Sequence, residues 1–495
     1  TFKSVTFKLA GNNSRLFSKP AFNLKIHDED LYGRSQFKLR ADGSEPTFLR
    51  TKLVSDIHNR LGVPSISTNY IKLFINDYYM GLYLLSDTYK PSWVKQYYGE
   101  KNTPNLYQCE YLFDFKPAYA SSCFNENKDV KENGELKSFL EKVKNAKSAS
   151  DIESIFEVDH FLTEMAIDYL LGSWDHIQNP TTGHNFYLYK QKNNGKWIYL
   201  SYDFDLDFGM PSEKLINMPF EKYIKKNINL VDLLILQNPT RFEKILKDIV
   251  AKVFNPGTLY PHIDELKKFI KPLVQYDKTP DAKGNYPGRL NTLAKDYYSM
   301  EVWDANSEFT RVKTQYAYTY GLKYWVLYRY RFVCNYYKMN CDSVYMNENY
   351  RYTVNRNVEY RDPVSPNTIT RTSNTNNNMA RTSNTNNRSS TAVSRNSATR
   401  KVIQCWSELT NHECCPSTVT TVTYRDEYGD WGFDYNKKRW CGLTRYKEPT
   451  PDKVCWSKPL GYDCCKSCKV YLKDENGSWG IEFNRWCGIQ SYCKK

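Results

Sequence analysis

Short alternating apolar runs open the chain. VTFKLA (residues 5–10), FNLKI (22–26) and QFKLR (36–40) each read as a strand with one apolar face. Glu45-Pro46 then begins a helical stretch to about Arg60, with Leu49, Leu53, Ile57 and Leu61 on one stripe. YIKLFI (70–75) and YMGLYLL (79–85) flank Asn76-Asp77, which predicts a hairpin. Helices are expected over about 134–146 and 159–172, the second with Phe161, Met165, Tyr169 and Gly172 on one face. NFYLYK (185–190) and KWIYLSY (196–202) flank Asn193-Asn194-Gly195, a second hairpin signal. Residues 240–345 read as mainly helical and Tyr-rich.

The pattern then stops. Over 346–402 Asn, Thr, Ser and Arg dominate, and RTSNTNN occurs at 371–377 and again at 381–387. So few apolar residues cannot offset the ordering entropy, so this stretch is expected to be a disordered linker. It separates a body at 1–345 from two Cys/Trp-rich segments at 403–445 and 453–495. The expected fold is α+β, with two small disulfide-rich β modules after the body.

At 495 residues the chain exceeds what one core serves, and 40% hydrophobic content is enough to build a real one. The net charge is +14, but Lys and Arg are spread without a dense basic block, which argues against nucleic-acid binding. No apolar run approaches the roughly 18 residues needed to span a membrane. No leader-like segment precedes the first strand, so the start reads as processed or truncated. Asn12, Asn387 and Asn476 head N-glycosylation sequons.

Ten of the fourteen cysteines follow residue 400: Cys405, Cys414, Cys415, Cys441, Cys455, Cys464, Cys465, Cys468, Cys487 and Cys493. Adjacent Cys-Cys pairs with a lone nearby His412 favour disulfides over zinc, and hence an oxidising, extracellular setting. The pairing itself is open. Cys405-Trp406 repeats as Cys455-Trp456 and Cys414-Cys415 as Cys464-Cys465, both shifted by 50. Trp431-Gly432 repeats as Trp479-Gly480 and Trp440-Cys441-Gly442 as Trp486-Cys487-Gly488, shifted by 48 and 46. Such modules cannot bury every Trp. Trp406, Trp440, Trp456 and Trp486 are expected to pack on the disulfides, and Trp431 and Trp479 to face partners.

This doubled pattern resembles the dockerin modules of anaerobic fungi, also grouped with family 10 carbohydrate-binding modules. The resemblance covers about 404–443 and 454–494. It implies docking onto a scaffold protein of an extracellular cellulosome, through Asp426, Trp431, Asp474 and Trp479. Plant cell-wall polysaccharide is the rival ligand, since flat rings also stack on sugars. Two copies raise avidity.

In the body, the most informative run is Trp174-Asp175-His176 through Asp203-Phe204-Asp205-Leu206-Asp207-Phe208-Gly209. With the turn centred on Asn194, Asn185 and Asp203 are each nine residues away and are expected to face one another. An amide beside carboxylates makes a hard-oxygen site suited to magnesium shared with phosphates. The order loop Asp, Asn, hairpin, metal Asp is that of phosphoryl transfer in protein kinases. Asn179 and Asn185 lie four and ten residues after Asp175, and no GxGxxG loop or Val-Ala-Ile-Lys is present, so a standard protein kinase is excluded.

The body resembles the CotH kinase family, named for a spore coat protein. The resemblance rests on VTFKLAGNNSRLFSKPAFNLKI (5–26), Glu45-Pro46-Thr47-Phe48-Leu49-Arg50, Ile75-Asn76-Asp77-Tyr78-Tyr79-Met80-Gly81-Leu82-Tyr83, His184-Asn185-Phe186-Tyr187 and Asp203-Phe204-Asp205. It implies an atypical kinase fold that uses ATP and Mg2+ to phosphorylate protein Ser or Thr. Asp175 would be the catalytic acid residue, Asn185 and Asp203 metal ligands, and Asp205 their support. The candidate phosphate-facing cations are Arg15, Lys19, Lys25 and Lys38. The chain departs from the family pattern at Glu45, Asp87 and Gln108. A catalytically inactive CotH-fold scaffold is the alternative. A plant-wall hydrolase or esterase lacks its GxSxG motif or clear carboxylate pair.

Overall fold

A computed structural model describes residues 1–361 except 12, 178–182, 211, 225–227, 295 and 316. In the tail it describes 404–405, 407–408, 413–426, 429–434, 437, 439–445, 455–458, 462–470, 472–473, 477–482 and 485–493. The chain divides into two units, Thr1–Thr370 and Arg371–Lys495.

The first unit begins with an antiparallel sheet of β1 (Val5–Leu9), β2 (Phe22–Ile26), β3 (Gln36–Arg40), β4 (Thr68–Ile75) and β5 (Tyr78–Asp87), in the order β1-β2-β3-β5-β4. Strand alternation splits its residues. Phe22, Ile26, Phe37, Leu39, Met80 and Tyr83 form one small core. The opposite face carries Thr6, Lys8, Asn23, Lys25, Gln36, Lys38 and Arg40. The β4–β5 turn is Asn76-Asp77 with both residues at positive φ, the turn that the twist of a hairpin favours.

Helix α1 (Arg50–Leu61) follows the Glu45 segment and ends at Gly62 in the left-handed conformation. Glu45 accepts from the Thr47 backbone N–H (2.8 Å), the Thr47 hydroxyl (2.6 Å) and Arg50 Nη1 (2.8 Å). The departure at Glu45 therefore still holds a buried turn together. Helices α2 (Pro91–Tyr98), α3 (Gly134–Asn145) and α4 (Val158–Leu171) follow. A second antiparallel sheet contains β6 (Leu106–Cys109), β7 (Cys123–Asn125), β8 (Phe186–Lys190) and β9 (Trp197–Ser201), in the order β7-β6-β8-β9. Cys109 and Cys123 face each other across β6 and β7 and form a disulfide. Helices at Thr240–Lys252, Pro256–Asp277, Met300–Ser307 and Leu322–Tyr336 complete the unit around the main core.

Two differences from expectation concern boundaries and register. Residues 346–361 were expected in the linker but pack on the body. Tyr352 stacks on Phe309 at 4.6 Å and Tyr360 on Tyr318 at 3.6 Å, and the Tyr360 N–H donates to the Arg311 carbonyl. Three tyrosines in this stretch, Tyr350, Tyr352 and Tyr360, supply the burial that the later Asn/Thr/Ser repeats lack. Residues 362–402, the rest of the expected linker, lie outside the described residues. In the β8–β9 hairpin, Phe186 pairs with Ser201 and the Tyr202 N–H donates to the Asn185 carbonyl (2.8 Å). Asn185 therefore opposes Tyr202, one residue short of the expected Asp203. The loop holds four residues, 192–195, and closes at Gly195 with φ +71°. Its even length shifts the pairing centre by half a residue, which moves every partner by one.

The second unit holds two modules of one design. Cys405–Cys414 and Cys415–Cys441 in the first match Cys455–Cys464 and Cys465–Cys487 in the second, which adds Cys468–Cys493. In the first, Trp431 pairs with Gly442 and Gly432 with Cys441; in the second, Trp479 pairs with Gly488 and Gly480 with Cys487. A Cβ on Gly480 would lie 2.7 Å from Cys465 Sγ, so the bridge packs directly over the glycine of each Trp-Gly pair.

Candidate functional site

Two turns at the heart of the first unit are wedged by one side chain. Gly172 ends α4 at φ +60° and Gly209 ends the Asp203–Gly209 run at φ +63°. A Cβ on either would lie inside the Trp325 ring's contact distance, at 2.6 and 1.9 Å. Trp325 Nε1 donates to the Leu170 carbonyl (3.1 Å), and the Gly209 N–H donates to the Leu171 carbonyl (2.9 Å). The loop carrying Asp175 and the run carrying Asp203 are thereby held to each other. Phe204 is fixed between two rings, His58 of α1 at 5.4 Å and His176 at 5.9 Å.

Asp175 is four-fifths buried in this loop. Burial and then the charge of Asp203 push its carboxyl up to about 7, against a smaller opposing pull from His176. His184 Nε2 stands 3.9 Å from Asp175 Oδ2, and Asn185 Nδ2 donates to the Asp175 carbonyl at 3.5 Å. His176 is buried. Burial opposes its charged form, but Asp168 (2.9 Å), Asp207 and Asp175 together raise its pKa well above the usual imidazole value. Burial likewise lifts the Asp207 carboxyl far above the ordinary range.

Asp203 behaves oppositely. Burial alone would raise its pKa, yet Arg40 and Lys38 hold it well below the carboxylate range. Lys38 Nζ is 3.5 Å from Asp203 Oδ2, and Arg40 Nη2 pairs with Oδ1. Arg40 Nη1 reaches Asp205 Oδ2 at 2.7 Å, and Ser44 Oγ donates to the same oxygen at 2.6 Å. Asp205 is raised, by burial first and by Asp203 as well, against the pull of Arg40. Asn185 and Asp203 both adopt positive φ, +61° and +75°, so the chain kinks out of the strand at each. The expected face-to-face pair does not form: the Asn185 amide turns to the Asp175 loop and Asp203 turns to the first sheet.

A cleft of about 440 Å³ lies along the polar face of that sheet, lined by Thr6, Lys8, Arg15, Lys25, Lys38 and Tyr202 among others. Of the expected cations, Arg15, Lys25 and Lys38 reach it. Lys19 does not. It is buried, ion-paired with Asp277, and donates to the Leu82 carbonyl at 3.0 Å. Lys8, Arg15 and Lys25 have no ion pair among the described residues, so the cleft wall carries net positive charge. Sequence reasoning missed Lys8 and Arg40. Arg40 sits two residues beyond Lys38 on one strand, so the alternation that made Lys38 a candidate reaches Arg40 too. The other departures have plain roles. Asp87 pairs with Arg34 at 2.6 Å, and Gln108 lines the cleft beside Glu110.

The donor set suits a hard cation. Asp203, Asp205 and Asp175 offer only oxygen, and burial, with the charge of Asp203 added to it, raises Asp175 and Asp205 toward protonation, which a divalent cation would oppose. Among the described residues these three do not form a closed metal cluster. The clusters close enough for that are Cys405–Glu408–Cys414 and Cys465–Glu482–Cys487, whose sulfurs are already in disulfides. An open set of one or two carboxylates completed by phosphate oxygens is the usual magnesium arrangement.

In the tail the expected contact residues are redistributed. Trp431 and Trp479 are each only 7% exposed, and Trp479 lies edge-on to Trp456 (4.7 Å) and Tyr462 (4.9 Å). They are core rather than surface rings: the bridge covers the neighbouring glycine on one face of the strand, and Trp479 packs against Trp456 and Tyr462. Trp440, expected to be packed, is 42% exposed, edge-on to Phe433 at 5.4 Å. Trp456, half-buried, donates from Nε1 to the Ile489 carbonyl at 2.9 Å. Asp426 sits in the strand Tyr424–Asp426 opposite Gly429. Asp474, Trp406 and the sequon residues Asn12, Asn387 and Asn476 lie outside the described residues, as does Asn179, and Trp486 is described by its strand alone.

The carboxylate run thus meets the cleft through Lys38, which lines the cleft and pairs with Asp203. Residues 7–333 match the family described as CotH kinase protein, and the chain belongs to that family. Residues 404–443 and 454–489 match a second family, described as cellulose or protein binding domain. The body is 28% identical over 290 residues to Spore coat protein homolog 1 of Rhizopus delemar, covering 52% of this chain and 45% of that protein. The chain spans about half the length of the curated relatives it matches there. A tail segment is 60% identical over 35 residues to mannan endo-1,4-beta-mannosidase A of a Piromyces species, 7% of this chain and 6% of that one. Among solved structures, the double dockerin from Piromyces equi Cel45A is 31% identical, covering 19% of this chain and 93% of that one, with a TM-score of 0.09. The chain thus joins a CotH-family domain to tandem modules of the fungal dockerin type.

Proposed function

We propose that the body is an atypical Ser/Thr protein kinase, using ATP and Mg2+, which the tandem modules attach to an extracellular cellulosomal scaffold. One observation carries the catalytic half: Asp175 and Asp203, from separate segments, share one charge environment beside a cleft whose Lys8, Arg15 and Lys25 have no ion pair among the described residues.

Lys8, Arg15, Lys25 and Lys38 would receive the phosphates in the cleft. Asp203 and Asp205 would hold the metal, with Asn185 at its rim. Bound there, magnesium would neutralise charge on the phosphates of the nucleotide. Asp175 would accept the proton of the acceptor hydroxyl. A pKa near 7 suits that task, because the base is then both populated and strong enough near neutral pH. His176 orients the loop through its bond to Asp168, and Trp325 keeps both carboxylate-bearing turns in place.

The tail supports docking, because disulfides hold its two modules in matching folds and the relatives similar to them include a mannan endo-1,4-beta-mannosidase. Exposed Trp440 is a better contact candidate than the buried Trp431 and Trp479. Plant-wall polysaccharide is the rival ligand, and the seven disulfides support an oxidising, extracellular setting.

The test is transfer of radiolabelled γ-phosphate by the purified chain with Mg2+, onto itself and onto a generic protein acceptor, against Asp203→Ala. Label in the wild type at least tenfold above the variant supports the kinase. Equal background in both removes it and leaves a catalytically inactive scaffold component. Docking is read by retention on scaffold protein against retention on crystalline cellulose.

A further inference from the structure

We propose that Arg40 is an exchangeable counter-ion of this site, pairing with Asp203 and Asp205 when no nucleotide is bound and passing to the phosphates when a cation takes the carboxylates. This rests on the phosphotransferase reading above. Arg40 bridges the two carboxylates, Nη2 on Asp203 and Nη1 on Asp205 at 2.7 Å. It is the shared partner of both, while Ser44 and Lys38 each serve one. A guanidinium cannot shed its proton, so it competes with a metal as a permanent charge. A divalent cation bound to the same oxygens would stand beside it at short range, where like charges repel strongly. The two therefore exclude each other from the carboxylates.

The displaced guanidinium has a second place to go. Arg40 follows Lys38 by two residues on β3, so both project from the sheet face that forms the cleft wall. Arg40 does not line the cleft while it holds the carboxylates, so the exchange requires its side chain to rotate past Lys38 toward the phosphates. Its planar fork matches phosphate oxygens in pairs. The exchange keeps the charge balanced in both states. Without nucleotide, Arg40 and Lys38 face Asp203 and Asp205. With it, the metal faces the carboxylates and Arg40 joins Lys38 on the phosphates. Metal and nucleotide would then bind interdependently, each weakly without the other.

The experiment uses the full chain, with wild type, Arg40→Gln, Arg40→Lys and Asp203→Asn checked for folding by circular dichroism. Mn2+ binding without nucleotide is read by the loss of the free-ion electron paramagnetic resonance signal. Binding of a fluorescent ATP analogue at fixed Mg2+ is read by anisotropy. Arg40→Gln is expected to bind Mn2+ at least tenfold tighter and the nucleotide at least tenfold weaker. Arg40→Lys keeps the charge without the fork, so it should shift both in the same directions by less. It also serves if the Gln variant does not fold. Unchanged or weaker Mn2+ binding in the Arg40 variants, with Asp203→Asn still abolishing it, overturns the exchange and leaves the metal reading standing. Tighter Mn2+ with unchanged nucleotide affinity overturns the transfer to phosphate. No Asp203-dependent Mn2+ binding in any variant overturns both.

Discussion

Replacing Asp175 by Asn should stabilise the body, and by more at pH 8 than at pH 5. The folded chain shifts the Asp175 carboxyl from its ordinary 3.8 to about 7. It therefore prefers the protonated form. The unfavourable contribution starts as pH rises past the unfolded value near 4, grows until the folded carboxyl ionises near 7, and is constant above that. Each pKa unit is about 1.4 kcal/mol, so between pH 5 and pH 8 the cost grows by about 2.5 kcal/mol. The side chain is 21% exposed. Solvent screening trims the effect to roughly 1–2 kcal/mol. Asn removes the charge while keeping the shape. The assay is urea unfolding of wild type and Asp175→Asn in the presence of a chelator, followed by near-ultraviolet circular dichroism of the body. Comparing two variants at each pH cancels all groups that titrate alike in both. Equal stability differences at the two pH values, or an Asn variant that is less stable at pH 8, would refute the claim that Asp175 carries stored electrostatic strain. Phosphate transfer by the same variant should fall at least a hundredfold.

Other outcomes follow from the same geometry. Asp42 is buried against Lys278 (2.8 Å) and Arg289 (3.0 Å); burial alone would raise its pKa, but these cations and Lys19 hold it well below the ordinary value. Its stabilisation is thus present above about pH 4 and lost as pH falls through the depressed folded value; Asp42→Asn should cost roughly 3–5 kcal/mol at pH 7 and flatten the acid limb of a stability profile. Gly209→Ala combines φ +63° with a Cβ overlapping Trp325, and thermal melting should show a loss of about 2–4 kcal/mol. Trp479→Ala should destabilise the second module by roughly 3–5 kcal/mol. Trp440→Ala should leave melting unchanged and weaken scaffold retention, and a Trp440 variant that docks normally would assign the contact elsewhere.

Local signals served well where one element decides the outcome. The positive-φ turn at Asn76-Asp77, α4 ending at Gly172 and the paired cysteine landmarks are each dictated within a few residues, and all were legible. The hairpin at 192–195 shows where such reasoning is fragile. Its turn was placed correctly, but a half-residue error in the centre changes which side chains meet, because strand sides alternate with period two. The tryptophans failed for a different reason. Whether a ring is core or surface depends on which face of its strand the rest of the module covers, and Trp431 and Trp440 are nine residues apart on neighbouring strands with equal claims by composition. Lys19 looked free because its partner Asp277 lies 258 residues away, at the end of a helix no local pattern connects to it.

The same distance explains why half of the candidate site was visible and half was not. The carboxylates sit together in one run, so their shared chemistry could be read from spacing alone. The cations that balance them come from the face of a sheet built more than 150 residues earlier; Lys38 and Asp203 are separated by 165 positions. Strand alternation says that Lys8, Lys25, Lys38 and Arg40 share a face, but not what that face meets. Only the closed fold sets it against Asp203 and Asp205, and only then does Arg40 become a competitor for the metal as well as a helper for phosphate. A site assembled this way carries a constraint on its own use. Its acids stay ionised only while an opposing cation is near, so loss of Arg40 should make the carboxylates depend on metal for their charge. Asp205, already raised despite its ion pair, should respond first.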